Sequence, residues 1–182
     1  MSGDSVERVP GLSCFSREEL EGMLEDAALD WLAHDGLWFL AVEERFGMQA
    51  AIDLDAKAWE SFTVIEAKRI MKRHGIAPGG GILALAKALG CRLYAFINEQ
   101  QIVEQTAERL VFRMNDCRVQ AARRRKQLPD FPCKPVGLVE YAGFARTIDT
   151  RIQTRCLACP PDPEPRGWCC GWEFTLRPEE TA

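Results

Sequence analysis

The sequence contains few of the features that would identify a protein class at once. Only two histidines occur among its 182 residues, His34 and His74, so a cysteine–histidine pair would need one of them to come from the helical region. The N-terminus has no apolar run of the kind a signal peptide needs. No stretch of about 18 apolar residues could span a bilayer. The sequence therefore predicts a cytosolic protein with no membrane partner.

An excess of positive charge is also absent. The formal net charge is −4 and the pI is near 5.3, whereas phosphate binding favours a net basic face. The basic run Arg123–Lys126 has no aromatic residues interleaved with it, which is untypical of nucleic-acid binding. We expect no nucleic-acid partner, and interpret the run as a solvated helix face or as an attraction for an anionic ligand.

Cysteine, in contrast, is plentiful. Six of the eight cysteines lie between Met114 and Phe174, in the pattern Cys117-x15-Cys133-x22-Cys156-x2-Cys159-x9-Cys169-Cys170. In a reducing cytosol a disulfide framework is not expected. Metal binding, a reactive thiol and plain burial are the three interpretations that this pattern leaves open.

The spacing of Cys156 and Cys159 is typical of zinc and redox pairs, although zinc ribbons combine two such pairs and this chain has one. With Cys117 and Cys133 they form the predicted metal ligands, because thiolates suit zinc and, as the alternative, an iron–sulfur cluster. If the cysteines only pack in the core, no cofactor is present. Whether Cys169 and Cys170 join the site is left open.

The first half of the chain predicts helices. Ser16 and Glu19 form a capping box, and apolar residues recur at spacings of three and four up to Phe46. Further helices are expected over Gln49–Arg73 and Ile82–Ile97. Residues 1–15 are interpreted as a flexible arm, 16–97 as a helical region and 177–182 as a tail.

The pattern then changes to one of alternating residues. Strands are expected over residues 100–105, 109–115, 151–158 and 168–176, and helices over 118–126 and 136–148. Residues 98–176 thus form a cysteine-rich α+β region. The prediction is an α+β fold in which an N-terminal helical bundle packs with a C-terminal antiparallel sheet and helices, in one compact domain overall.

Two carboxylates fall on apolar helix faces. Asp35 lies within the stripe of the first helix and Glu66 within that of the second. An inward carboxylate is costly unless it is paired, so each is either part of a structural ion pair, with Arg69 or Lys68 as partner, or part of a ligand pocket. In the second case Trp38 is an apolar wall, and His34 is a further candidate.

Cys117 is the candidate nucleophile. It begins a predicted helix, where backbone amides and the neighbouring Arg118 favour a thiolate, and Arg118 is a candidate ligand contact. If the site is hydrolytic, Asp116 or His34 would assist this thiol.

Several segments resemble a family of uncharacterised cytosolic proteins of anaerobic bacteria and archaea: Met114–Arg118, Phe131–Pro135, Arg155–Pro161 and Asp35–Phe39. The resemblance covers about residues 18–176. More remotely, the C-terminal half is similar to the L-2-amino-thiazoline-4-carboxylic acid hydrolase family and to the 4-vinyl reductase domain family. Those families end with two cysteine-bearing strands, here those of Cys156 and Cys170. The resemblance implies a ligand-binding α+β architecture.

The sequence therefore predicts a cytosolic protein that binds or hydrolyses a small molecule at a cysteine-rich, metal-binding site. The alternative is a non-catalytic sensor or structural protein whose cysteines are core packing. A homodimer is possible on either interpretation.

Overall fold

The computed structural model describes residues 11–162 and 167–178. The predicted α+β class is confirmed, with helices first and one antiparallel sheet after them. Residues 1–10 of the predicted arm, 163–166 of the proline-rich loop and 179–182 of the tail lie outside the described residues. After a short 3-10 helix, Leu12–Cys14, the elements are α1 (Arg17–Phe46), α2 (Met48–His74), α3 (Gly81–Leu89), α4 (Tyr94–Ile97), β1 (Glu99–Gln105), β2 (Arg109–Asp116), α5 (Arg118–Arg125), α6 (Lys134–Ile148), β3 (Ile152–Ala158) and β4 (Cys170–Leu176).

Helices α1 and α2 form a pair joined by a single residue. The predicted capping box at the start of α1 is confirmed: the Glu19 amide donates to Ser16 Oγ at 3.2 Å, and the Ser16 amide donates to Glu19 Oε2 at 2.7 Å. Helix α1 ends before Gly47, whose φ of 87° suits glycine. Helix α2 begins at the next residue, and the two helices pack against each other.

The helix predicted over Ile82–Ile97 is wrong in one respect. Helix α3 ends at Leu89, and the short α4 begins only at Tyr94. Gly90, a poor helix former, caps α3, and the amides of Cys91 and Arg92 bond to Ala88 O and Leu89 O in tight turns. The break leaves Arg92 only 2% exposed.

The sheet has the order β1-β2-β4-β3, and every neighbouring pair is antiparallel. Its inner face pairs Phe112 with Trp172 and Met114 with Cys170. All four are buried, as the alternating pattern predicts. Strand β3 pairs Cys156 with Trp172. The end of β2 that precedes Cys117 therefore meets the cysteine-bearing ends of β3 and β4 at one end of the sheet.

Helix α6 is held tightly between the sheet and α2. A Cβ atom added to Gly137 would lie 2.6 Å from Trp172 Cζ2, and one added to Gly143 would lie 2.6 Å from Thr63 Cγ2. Thr63 Oγ1 also donates to the carbonyl of Glu140 at 2.9 Å. Side chains at these two glycines would push α6 away from the sheet and from α2. The two glycines therefore determine how closely α6 approaches its neighbours.

The outer surface of α1 is partly apolar, with Leu37 62% and Trp38 65% exposed. A homodimer stays a prediction from the sequence. Within the described part of the chain, no helix combines the length and the apolar character needed to cross a membrane.

Candidate ligand-binding cavity

A cavity of about 560 Å³ lies among the helices and the cysteine-bearing end of the sheet. Its wall is mainly apolar and includes Phe39, Trp59, Met114, Val136 and Trp172. Its wall also contains the basic residues Arg118, Arg123, Arg125 and Lys126, and two further sets of polar groups. One, the carboxyl end, consists of Asp35 and Asp55; the other, the thiol end, consists of Cys117, Cys133, Cys159 and Cys170. Tyr94, Glu140 and Tyr141 also line the cavity.

A buried ion network adjoins this cavity, because Glu140 belongs to both. Arg92 Nε donates to Glu66 Oε2 at 2.9 Å, and Arg92 Nη1 lies 2.7 Å from Glu140 Oε1. The side chains of Arg92, Glu66 and Glu140 are 2%, 11% and 9% exposed. Burial alone would lower the pKa of Arg92, but the two carboxylates raise it, so the guanidinium remains charged. We call these three residues the Arg92 network.

Aromatic rings enclose the same guanidinium. Arg92 Cζ lies 4.8 Å from the ring centre of Phe144, 5.3 Å from that of Tyr94 and 5.6 Å from those of Trp59 and Tyr141. Cation–π attraction at such distances adds to the two ion pairs when the cation is desolvated. The Arg92 network therefore joins α2, the α3–α4 turn and α6 at one point.

The carboxyl end brings together one residue from α1 and one from α2. Burial raises the pKa of Asp35, and the nearby His34 only partly offsets this. Burial, and then repulsion from Asp35 and Glu140, raises the pKa of Asp55 to about 7. A contact with Trp59 lowers this pKa in part. Among the residues that the structure describes, neither carboxyl belongs to an ion pair, and burial makes both costly to ionise.

At the thiol end, three sulfur atoms surround that of Cys159. Its Sγ lies 3.4 Å from Cys133 Sγ. Contacts with Cys133, then Cys156 and Cys170, together with burial, raise the pKa of Cys159 far above its usual value. The Cys133 sulfur also accepts from Gln120 Nε2 at 3.6 Å, and that of Cys170 from Trp172 Nε1 at 3.4 Å. Cys159 is thus held as a neutral thiol.

Cys117 forms a separate pair with Cys169. A hydrogen bond from Cys169 lowers the pKa of Cys117 to about 7; burial opposes this, and the amides of Gln120 and Val119 support it. The Cys117 side chain does not cap α5 through a hydrogen bond. The same contact, with burial, raises the pKa of Cys169. Cys117 therefore loses its proton first, and its thiolate faces the cavity.

Some of the site residues predicted from the sequence line the cavity, and others lie outside it. Asp35 and Arg118 line it, as does Cys117. His34 and Asp116 are exposed and are not part of its wall, and neither is the exposed Trp38. Glu66 lies outside the cavity as well, and its partner is Arg92 rather than the expected Arg69 or Lys68. Of the four predicted metal ligands, Cys133, Cys156 and Cys159 come together, whereas Cys117 pairs with Cys169.

Three important residues were not predicted from the sequence: Asp55, Arg92 and Glu140. A signal existed for two of them. Arg92 continues the apolar spacing of Leu85 and Leu89, and Glu140 lies four residues from both Val136 and Phe144. A charged residue on each apolar face indicates a buried pair. Asp55 gave no comparable signal, because its environment depends on how α1 and α2 pack.

Within residues 11–162 and 167–178, no group of three or more His, Cys, Asp or Glu side chains has an arrangement that could hold a metal ion. The predicted zinc or iron–sulfur cofactor is therefore still a prediction. What the described geometry provides is a mainly apolar cavity whose wall contains acidic groups, basic groups and thiols.

The raised pKa of Asp55 leads to a testable pH dependence. Since the folded-state pKa is about 7 instead of 3.8, the unfolded chain loses this proton first, and the free energy of unfolding falls as the pH rises through that interval and then levels off. Asp55→Asn removes this loss. We expect the variant to exceed the wild type by about 1–2 kcal/mol at pH 8, after allowance for partial solvent screening, and by much less at pH 4.

Urea unfolding at several pH values measures this difference. Asp53→Asn is the matched control, because Asp53 lies on the same helix and is exposed. A difference between Asp55→Asn and the wild type that does not change with pH would contradict the assignment.

Comparison with known proteins places the chain in a family without naming an activity. No curated protein and no solved structure matches it significantly. One family model matches residues 13–176, which include all helices α1–α6 and all four strands. The match spans both the cavity and the Arg92 network, so the chain belongs to the family of unknown function DUF6125.

Proposed function

We propose that this protein binds a small, mainly apolar molecule in the cavity between its helices and its sheet. The observation that carries the proposal is the cavity itself. Its volume of about 560 Å³ is within the range typical of ligand sites, which are mostly apolar and contain a few polar groups that orient the ligand. Trp59, Val136 and Trp172 contribute to the apolar wall, and Tyr94 and Glu140 contribute polar groups to it.

Support also comes from the way the cavity is built. The Arg92 network adjoins the cavity through Glu140. The close contacts of Gly137 and Gly143 position α6 against the sheet and α2. A site that is rigid before binding loses less conformational entropy when a ligand enters. This favours binding over the alternative in which the space results from loose packing of a structural protein.

Octanol is a suitable neutral probe, because each CH₂ group removed from water contributes about 0.8 kcal/mol. We expect saturable binding by isothermal titration calorimetry. Gly36→Phe is the blocking variant: Gly36 lines the cavity and a Cβ there would meet no atom within 4 Å. It should weaken octanol binding by about tenfold or more, a loss of roughly 1.4 kcal/mol.

Gly22→Phe is the matched control for this experiment. Gly22 lies on the same helix, has equally open surroundings, and is not part of the cavity wall. It should leave octanol affinity unchanged. Absence of saturable binding, or an equal loss in both variants, would contradict the proposed function and favour the structural alternative.

Metal binding is a second candidate, supported by the contact of Cys159 with the thiols of Cys133, Cys156 and Cys170. Sulfur atoms around a tetrahedral zinc ion lie about 3.8 Å apart, close to the 3.4 Å between Cys133 and Cys159. The four side chains would have to turn toward a common centre and lose their protons. Zinc is the first choice and an iron–sulfur cluster the second, as the sequence predicts.

Elemental analysis and a visible spectrum of anaerobically purified protein test this candidate. About one zinc per chain is expected, with loss of the metal in Cys159→Ala and retention in Cys14→Ala, since Cys14 is exposed and distant in the chain. Broad visible absorption would indicate a cluster instead. Metal-free protein would refute the candidate.

Hydrolysis stays a prediction from the sequence. Cys117 lines the cavity and has a pKa of about 7, which suits a nucleophile. The proposed helpers, Asp116 and His34, are exposed and do not line the cavity. Binding is therefore the function that the geometry supports best.

A further inference from the structure

Two thiols in the cavity wall lie in direct contact. The sulfur atoms of Cys133 and Cys159 are 3.4 Å apart, although the two residues are 26 positions apart in the chain. Both cysteines are free and both line the cavity. A disulfide bond holds its sulfur atoms about 2.0 Å apart. Each sulfur would therefore have to move by less than about 1 Å to form one.

The backbone holds these two cysteines side by side. The Lys134 amide donates to the Pro160 carbonyl at 3.1 Å, and these residues directly follow the two cysteines. Asp162 joins the same two segments, because it accepts from the Cys159 amide at 2.9 Å and lies 3.1 Å from Lys134 Nζ. The start of α6 and the chain after β3 are thus fixed against each other. The sulfur atoms approach by side-chain rotation, without movement of the backbone.

The other thiols that contact Cys159 are held by the sheet. Cys156 and Cys170 both touch its sulfur. The Cys170 sulfur accepts from Trp172 Nε1 at 3.4 Å, and the Cys156 backbone is paired with Trp172 in the ladder between β3 and β4. Cys133 lies outside the sheet, and its side chain does not cap α6. Cys133 is therefore the partner that turns most readily toward Cys159.

The two thiols also differ in access. Cys133 is half-buried, whereas Cys159 is only 1% exposed. A small oxidant that enters the cavity therefore meets Cys133 first. The Cys159 sulfur is already in contact with the oxidised atom and is placed to react next.

We propose that Cys133 and Cys159 form a modification site, at which a small hydroperoxide that enters the cavity oxidises the two thiols to a reversible disulfide. In the first step the O–O bond breaks: the Cys133 sulfur takes one peroxide oxygen and becomes a sulfenic acid, and the rest of the peroxide leaves as an alcohol or as water. In the second step the Cys159 sulfur bonds to the Cys133 sulfur, and the sulfenic hydroxyl leaves as water with the Cys159 proton. The thiols lose two electrons and two protons, and the peroxide is reduced.

This inference goes beyond the proposed function and does not depend on octanol binding. The disulfide and a metal ion at Cys159 would use the same sulfur atoms, so each excludes the other. A dithiol reductant reverses the reaction by thiol–disulfide exchange and restores both thiols.

Hydrogen peroxide is the probe, applied to the full-length protein after reduction and in the presence of a metal chelator. We expect the number of free thiols, counted after unfolding, to fall by two from the eight of the chain. Dithiothreitol should restore all eight. Mass spectrometry of the peptides should find the link between Cys133 and Cys159. No loss of thiols, or a main link between other cysteines, would overturn the proposal, and neither result requires a variant to fold.

Two substitutions test the order of the steps. Cys159→Ser should leave the sulfenic acid on Cys133 without a partner, so that dimedone labels Cys133 in this variant and not in the wild type. Cys133→Ser should keep Cys159 as a free thiol. Dimedone labelling of another cysteine in place of Cys133, or oxidation of Cys159 in Cys133→Ser, would contradict the assigned order.

Cys169→Ser is the matched control, because Cys169 also contacts a thiol of the cavity wall, that of Cys117. It should form the link between Cys133 and Cys159 as the wild type does. Loss of that link in Cys169→Ser would assign the oxidation to the wrong pair and overturn the proposal.

Discussion

The structure depends on the buried guanidinium of Arg92. The side chain of Arg92 is 2% exposed, and it lies between Glu66 of α2 and Glu140 of α6. Burying a charge costs several kcal/mol unless partners of opposite charge surround it. Helices α2 and α6 must therefore meet at the α3–α4 turn, and Phe144 completes the aromatic enclosure from the same side as Glu140. Because α3 ends at Leu89, before Gly90, the side chain of Arg92 reaches both carboxylates.

The cavity follows from that arrangement. Glu140 both anchors Arg92 and lines the cavity, so the network that holds the helices together also forms part of the binding wall. On one side α1 and α2 contribute Asp35 and Asp55; on the other, the strand ends and the start of α6 contribute Cys133 and Cys159. Carboxyl groups, thiols and basic side chains thus share a mainly apolar wall. A few polar groups in such a wall orient a ligand.

Much of the fold could be predicted from the sequence, because local signals determine it. The capping box at Ser16, the positive-φ glycine after α1 and the alternation in β2 each predict an element that forms. The site was predicted less completely, since it depends on contacts between distant residues. Sequence spacing grouped Cys117 with Cys133, whereas the pairing of Met114 with Cys170 across the sheet brings Cys169 beside Cys117 instead. No local pattern shows that register.

The central claim is that the Arg92 network holds the helices around a preformed cavity, and urea unfolding of Arg92→Met tests it most directly. Methionine leaves Glu66 and Glu140 buried without a partner, and the account predicts a loss of about 3–5 kcal/mol in the free energy of unfolding. Arg17→Met provides the reference, because the Arg17–Glu21 pair is 92% and 65% exposed and should contribute at most about 0.5 kcal/mol. A loss in Arg92→Met no larger than that of Arg17→Met would contradict the account.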